Sequence, residues 1–98
     1  MNLSTSQKRY LRGLTHHINP VVMVGEKGLT DNVMTEIEIA LDHHELIKVK
    51  LRSDRDTRKA QVEQIANTCH ADVIQQIGQV SSFFRRNPEK PVIDLPGA

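Results

Sequence analysis

Tryptophan is absent and the aromatic residues are only Tyr10, Phe83 and Phe84, too few for a sheet that stacks bases on an aromatic platform. Cysteine is almost missing as well. Cys69 stands alone, which excludes an intramolecular disulfide and a cysteine-rich zinc site and suits a reducing compartment. No apolar run approaches the roughly eighteen residues that span a bilayer, and Met1 to Thr5 lacks the apolar core of a signal peptide. A cytoplasmic location with no membrane partner is therefore expected. At 98 residues the chain is too short for a two-domain enzyme. A chain of this size buries roughly 60 to 70% of its unfolded surface, enough for one core but not for a deep pocket as well.

Net charge is also nearly lacking, since 13 Lys and Arg face 12 Asp and Glu. The charges that are present fall in blocks. Lys8, Arg9, Arg12 and Lys27 face only Glu26 before residue 29. Asp31, Glu36, Glu38, Asp42 and Glu45 then follow with no Lys or Arg between them. Lys48, Lys50, Arg52, Arg55, Arg58 and Lys59 reverse the sign against Asp54 and Asp56. A nearly neutral chain can thus carry a local basic surface, although such blocks are also ordinary solvated faces.

Ser4 or Thr5 can cap a first helix with Tyr10, Leu11 and Leu14 on one stripe and the basic Lys8 and Arg12 on another. After Asn19-Pro20, the run Val21 to Val24 reads as a strand buried on both faces. Thr30 caps a second helix with Asp31 in its first turn and Val33, Ile37, Ala40 and Leu41 inward. Leu46 to Arg52 alternates, with Ile47, Val49 and Leu51 on one face and Lys48, Lys50 and Arg52 on the other. From Asp54 or Asp56 a third helix runs to about Cys69, with Val62, Ile65, Ala66 and Cys69 as its apolar stripe. Ala71 to Ile77 and Val80 to Arg86 make a hairpin about Gly78-Gln79, with one of Phe83 and Phe84 inward and the other exposed. Residues 87 to 98, with Pro88, Pro91 and Pro96, read as an extended tail that the domain of residues 1 to 86 does not need.

The expected architecture is α/β (α+β): a two-layer sandwich in which a helix precedes βαβαββ, with helices mainly on one face. Right-handed crossovers make the first three strands of the four-stranded mixed sheet parallel and the last antiparallel. The ends of the first two strands, the Gly78-Gln79 turn and the starts of the second and third helices then share one edge. Backbone N–H groups of two helix ends, with Lys27, Arg55, Arg58 and Lys59, would make an anion site there.

Gly25-Glu26-Lys27-Gly28 between strand and helix lets a backbone approach a ligand closely. Taken alone, such a turn is more often a plain connection. It is not a P-loop or a dinucleotide fingerprint, because Gly-Lys-Ser/Thr and a third glycine are missing. His16, His17, His43, His44 and His70 fall near helix C-termini, where the helix dipole favours them, and none forms a His-Glu-x-x-His pair. No catalytic set emerges, so no enzyme activity, metal, cofactor or small-molecule substrate is expected.

Leu14 to Pro20, Val21-Val22-Met23-Val24-Gly25-Glu26-Lys27-Gly28-Leu29-Thr30 and His43-His44-Glu45-Leu46-Ile47-Lys48-Val49-Lys50 together resemble the CRM-domain RNA-binding family. Its bacterial stand-alone YhbY-type members are most similar, over roughly residues 3 to 86. The resemblance implies a fold like the C-terminal domain of translation initiation factor three. It also implies a non-catalytic RNA-binding protein that engages precursors of large-subunit ribosomal RNA during ribosome assembly. Carried over by position, Gly25, Lys27 and Gly28 match the family's Gly-x-x-Gly loop, Lys48 and Lys50 its basic second strand, and Arg85 an arginine near the end of its last strand. Gln79 to Phe84 departs from the family, whose segment begins with a basic residue and continues aliphatic. The full set of expected RNA-binding residues adds Glu26, Lys8, Arg12, Arg55, Arg58 and Lys59. The competing expectation is a protein-interaction module that docks through the acidic second helix, with RNA contact incidental.

Overall fold

Ser4 opens the first helix with a capping box. Its hydroxyl accepts the Gln7 backbone N–H at 3.1 Å, and the Gln7 side-chain oxygen accepts the Ser4 N–H at 3.0 Å. The computed structural model describes residues 2–97, so Met1 and Ala98, the outer limits of the expected domain and tail, lie outside the described residues. The elements are α1 (Thr5–Thr15), β1 (Pro20–Val24), α2 (Asp31–His44), β2 (Leu46–Leu51), α3 (Arg55–Cys69), β3 (Asp72–Ile77) and β4 (Val80–Phe84). Helix, then βαβαββ, is the expected order. Thr30 and Asp54 cap α2 and α3 through side chains that accept the Val33 and Thr57 N–H groups.

The sheet order is β1-β2-β4-β3. β1 and β2 are parallel, and β4 runs antiparallel to both β2 and β3, so the first three strands share one direction. α2 and α3 cover one face of the sheet, where Ile37, Leu41, Val62, Ile65 and Cys69 meet Val24, Ile47, Val49 and Phe83. α1 lies on the opposite face, over only one end. There Leu11 packs on Leu46, Ile74 and Phe84, at the start of β2 and the finish of β4.

That partial cover corrects three expectations. β1 is buried on one face rather than two, because it is an edge strand beyond the reach of α1: Val22 and Val24 are buried, while Val21 and Met23 are 51% and 54% exposed. Phe83 and Phe84 are both fully buried, on opposite faces, since α1 and the tail close the second face where β4 ends. Tyr10 does not join the stripe of Leu11. It is 41% exposed, and Thr15, one turn on from Leu11, is buried instead.

The segment after β4 has no helix or strand, yet it packs back on the domain, which corrects the expectation of an unpacked extended tail. Ile93 and Leu95, both half-buried, rest on the cluster of Leu11, Leu46, Ile74 and Phe84, and each contributes a part of the ~1.5–3 kcal/mol that full burial of such a side chain would give. Gln7 Nε2 donates to Pro96 O at 3.0 Å. The segment folds back around Glu45, the single residue between α2 and β2, whose φ of 61° lets the chain turn within one step. A non-glycine residue in such a conformation costs about 1–3 kcal/mol. The fully buried Glu45 carboxylate offsets that cost by accepting the N–H groups of Asn87, Val92 and Ile93 at 2.7–2.8 Å and Arg86 Nη1 at 3.1 Å. Burial alone would raise its pKa, but the three N–H groups and the Arg86 guanidinium prevail and hold it below the ordinary carboxylate range.

Candidate nucleic-acid interface

At the opposite end, where β1 and β2 finish, backbone bonds tie three connections together. Arg52 N–H donates to Val24 O at 3.0 Å, and Leu51 N–H donates to Gln79 O at 2.7 Å, so the β3–β4 turn meets the ends of both strands. The Gly25 to Gly28 loop closes as a turn, with Gly28 N–H donating to Gly25 O at 3.0 Å. Gly28 sits at φ +72°, which L side chains rarely adopt. Gly25 has no such constraint, and nothing lies within 4 Å of where its Cβ would be, so its backbone is open to close approach. Gln61 joins the two loops: its Oε1 accepts from Ser53 Oγ at 2.8 Å, and its Nε2 stands 3.8 Å from the Cβ position of Gly28.

Around this end the cations converge. Lys27 is exposed on the loop, and Arg55, Arg58 and Lys59 line an open cavity of about 740 Å³ with Asp56, Gln76 and Gly78. Lys50 lies on the sheet face left open by α1, between Met23 and Val80 on neighbouring strands, and Lys48 lies one row back beside Ser82. Among the described residues, none of these six side chains makes a salt bridge. Arg58 is partly committed, since its Nη1 donates to Ser53 O at 2.7 Å and pins the loop before α3.

The helix starts contribute less than expected. Asp54 spends its carboxylate on the Thr57 N–H, a bond that lowers its pKa, and Asp31 and Asp56 stand in the first turns of α2 and α3. These acids offset the positive helix ends, so the attraction for an anion comes from the Lys and Arg side chains. Glu26 is exposed within the loop and adds a further negative charge.

Three expected residues do not join this end. Arg85 is at the far end of β4, where it pairs with Glu38 at 2.6 Å and Asp42 at 2.8 Å and donates to Cys69 O at 2.9 Å. Lys8 and Arg12 ride on α1, whose anchor Leu11 is at that far end as well. Conversely, Arg52 is exposed among the convergent cations, and Gln61 braces them. Gln61 had a sequence signal, because it lies one turn before Ile65 and two before Cys69 on the buried stripe of α3. Among the described residues, no three His, Cys, Asp or Glu side chains gather as a metal site.

Comparison with known proteins places this geometry among relatives. Residues 3–85 match the sequence profile of the CRS1 / YhbY (CRM) domain. An RNA-binding protein of Haemophilus influenzae is 48% identical over 95 residues, covering 96% of this chain and 95% of that one. A probable RNA-binding protein of Pseudomonas aeruginosa is 41% identical over 90 residues, covering 91% of this chain and 86% of its own length. The solution structure of a Staphylococcus aureus protein, described as a candidate RNA binder, superposes with a TM-score of 0.81 at 33% identity, over 97% of this chain and 100% of that one. A profile that spans nearly the whole helix-βαβαββ unit, relatives matched end to end and a shared fold settle the kinship: the chain belongs to the CRS1/YhbY (CRM) domain family.

Proposed function

We propose that this protein binds structured RNA without catalysing a reaction, and that the Gly25 to Gly28 end holds the phosphate backbone. The observation that carries the reading is the set of unpaired cations around a loop whose backbone a ligand can approach. Lys27, Lys50, Arg52, Arg55 and Lys59 can contact about five phosphates, and each neutralised phosphate contributes roughly 0.7–0.9 to the log-log salt slope. Affinity for a structured ribosomal fragment should therefore fall with a slope of roughly −3 to −5. A salt-independent affinity would overturn the reading.

The finer target is precursor RNA of the large ribosomal subunit, as the family resemblance implies, met in the cytoplasm. Crosslinking in cells followed by sequencing of the bound RNA tests it, and recovery of unrelated RNAs alone would overturn it. Docking through an acidic second helix has less support. Glu38 and Asp42 on that helix are already engaged by Arg85, which halves the charge that they would offer a partner.

A further inference from the structure

We propose that the open half of the sheet, beside the end of α1, holds one unpaired nucleobase whose pairing edge carries an amino group at one end and a carbonyl at the other: guanine or cytosine. The proposal rests on the RNA-binding reading and adds to it a site for base identity. Three residues carry it. Ser82 of β4 pairs across the sheet with Lys48 of β2 on one side and Gln75 of β3 on the other. Directly paired residues of antiparallel strands face the same way, so Lys48, Ser82 and Gln75 form one polar row on the α1 side. The same three line a cavity of about 260 Å³, closed by Thr15 at the end of α1 and His16 just after it and bordered by Ile77 and Val80. Drug-sized ligands occupy roughly 300–1,000 Å³, so this volume suits a single ring system.

The shape of the row matters. The short, buried Ser82 makes a floor between two long side chains, a slot into which a flat base can insert edge first. Its polarity can be worked out from Thr15, which is 1% exposed. Thr15 Oγ1 lies 2.6 Å from Arg12 O and 2.9 Å from Gln75 Oε1. A hydroxyl has one proton, and the shorter contact takes it. Two facing acceptors with no proton between them repel, so the Gln75 amide turns over, its NH2 donating to Thr15 Oγ1 and its C=O facing the cavity. The row then reads acceptor at Gln75, hydroxyl of either sense at Ser82, and donor at Lys48.

Guanine offers amino group, ring N–H and carbonyl in that order, and the row satisfies all of them with Ser82 accepting. Cytosine offers amino group, ring nitrogen and carbonyl, and the row satisfies these with Ser82 donating. Uracil sets a carbonyl against the Gln75 C=O, and adenine leaves Lys48 without an acceptor. No aromatic platform is needed, because hydrogen bonding rather than stacking supplies the selection. Lys50, two residues along β2 on the same face, is placed to take a neighbouring phosphate on the way to the loop end.

The test uses RNA hairpins with one stem and loops of guanosine, cytidine, uridine or adenosine, bound to the full chain over a salt series. The guanosine and cytidine loops should bind roughly fivefold or more tighter than the uridine and adenosine loops. Gln75→Met, which keeps the side-chain size but not its hydrogen bonds, should abolish that difference and leave the salt slope intact. Lys27→Ala with Lys59→Ala should flatten the slope and keep the difference. Equal binding of all four loops with a normal slope would overturn the base site while leaving the RNA-binding reading standing; no binding to any hairpin would overturn both. Titration of the unmutated protein with GMP, CMP, UMP and AMP, read from the Gln75 side-chain NH2 resonances, needs no variant, and equal shifts with all four would also overturn the site.

Discussion

Where β4 finishes, the arginines are bound: Arg85 spans Glu38 and Asp42, and Arg86 meets the buried Glu45. Where β1 and β2 finish, Lys27, Arg52, Arg55 and Lys59 stand in solvent and make no salt bridge among the described residues. The same kinds of side chain do different work at the two ends. At the closed end cations and anions satisfy one another and hold the chain together. At the open end the cations outnumber what their neighbours neutralise and remain free for a partner. A CRM-type protein of nearly zero net charge can therefore present a local excess of cations, because Arg85 and Arg86 are spent on three carboxylates at the closed end while those of the open end are not.

The largest effect should come from breaking the closed end. Glu45→Ala leaves the N–H groups of Asn87, Val92 and Ile93 unpaired and frees the tail, which should cost about 3 kcal/mol. For a chain of this size the melting temperature should fall by more than about 10 °C. Removal of residues 87–98 should do much the same, since it also strips Ile93 and Leu95 from Leu11 and Phe84. Glu45 has a lowered pKa in the fold, so its contribution is complete above the ordinary glutamate value. It is lost as pH falls below about 4.5 toward the folded value. The parent should thus lose more stability in acid than the Glu45→Ala variant. Thermal melts across pH check this, and an unchanged melting temperature in the truncated chain would deny the tail its structural role.

The converse change strikes the open end. Neutralising Lys27, Arg55 and Lys59 together removes about three phosphate contacts, so the salt slope should flatten by roughly 2 units. Stability should stay within about 0.5 kcal/mol of the parent for each exposed change. Salt titrations beside thermal melts give both readings. If the variant melts early and keeps its slope, the assignment of the two ends is reversed.

Much of this was legible along the chain. Caps at Ser4, Thr30 and Asp54, the alternation of Leu46 to Leu51 and the hairpin at Gly78-Gln79 are local signals, and each sits where the sequence places it. The Gly-x-x-Gly loop and the basic start of α3 were legible for the same reason. What escaped reading depends on residues distant in sequence. Arg85 looks as free as Arg55 until Glu38 and Asp42 are brought beside it across more than forty positions. The tail has no periodicity because its partners are one buried carboxylate and a mixed patch of α1 and the sheet, and neither imposes a repeat. Val21 and Met23 read as core because apolar runs do not declare which strand lies at an edge.

Within the loop itself the two glycines should separate. Gly28→Ala forces a Cβ onto a φ of +72° and should cost about 1 kcal/mol. Gly25→Ala meets open space and should leave the melting temperature unchanged. Gly25→Trp should then weaken RNA binding without loss of fold, because bulk replaces the bare backbone that a phosphate or sugar would approach. Equal melting and equal affinity for both alanine variants and the parent, with Gly25→Trp also neutral, would remove the loop from the interface.

The smallest effect is expected at Cys69, which reports on the closed end without perturbing it. Its side chain is fully buried, and Arg85 reaches across its carbonyl at 2.9 Å. Burial, with the Glu38 carboxylate beside it, pushes the thiol up to about 12, so at pH 8 hardly any thiolate exists to react. Modification then requires an opening that uncovers the last turn of α3. A small alkylating reagent should label the native chain orders of magnitude more slowly than the urea-unfolded chain. Loss of residues 87–98 should speed labelling, because it loosens the end that Cys69 occupies; neutralising Lys27, Arg55 and Lys59 should not, because those charges hold nothing closed. Equal labelling rates in the parent and truncated chains would mean that α3 is sealed by its own packing on the sheet, and that the tail braces only the α1 side.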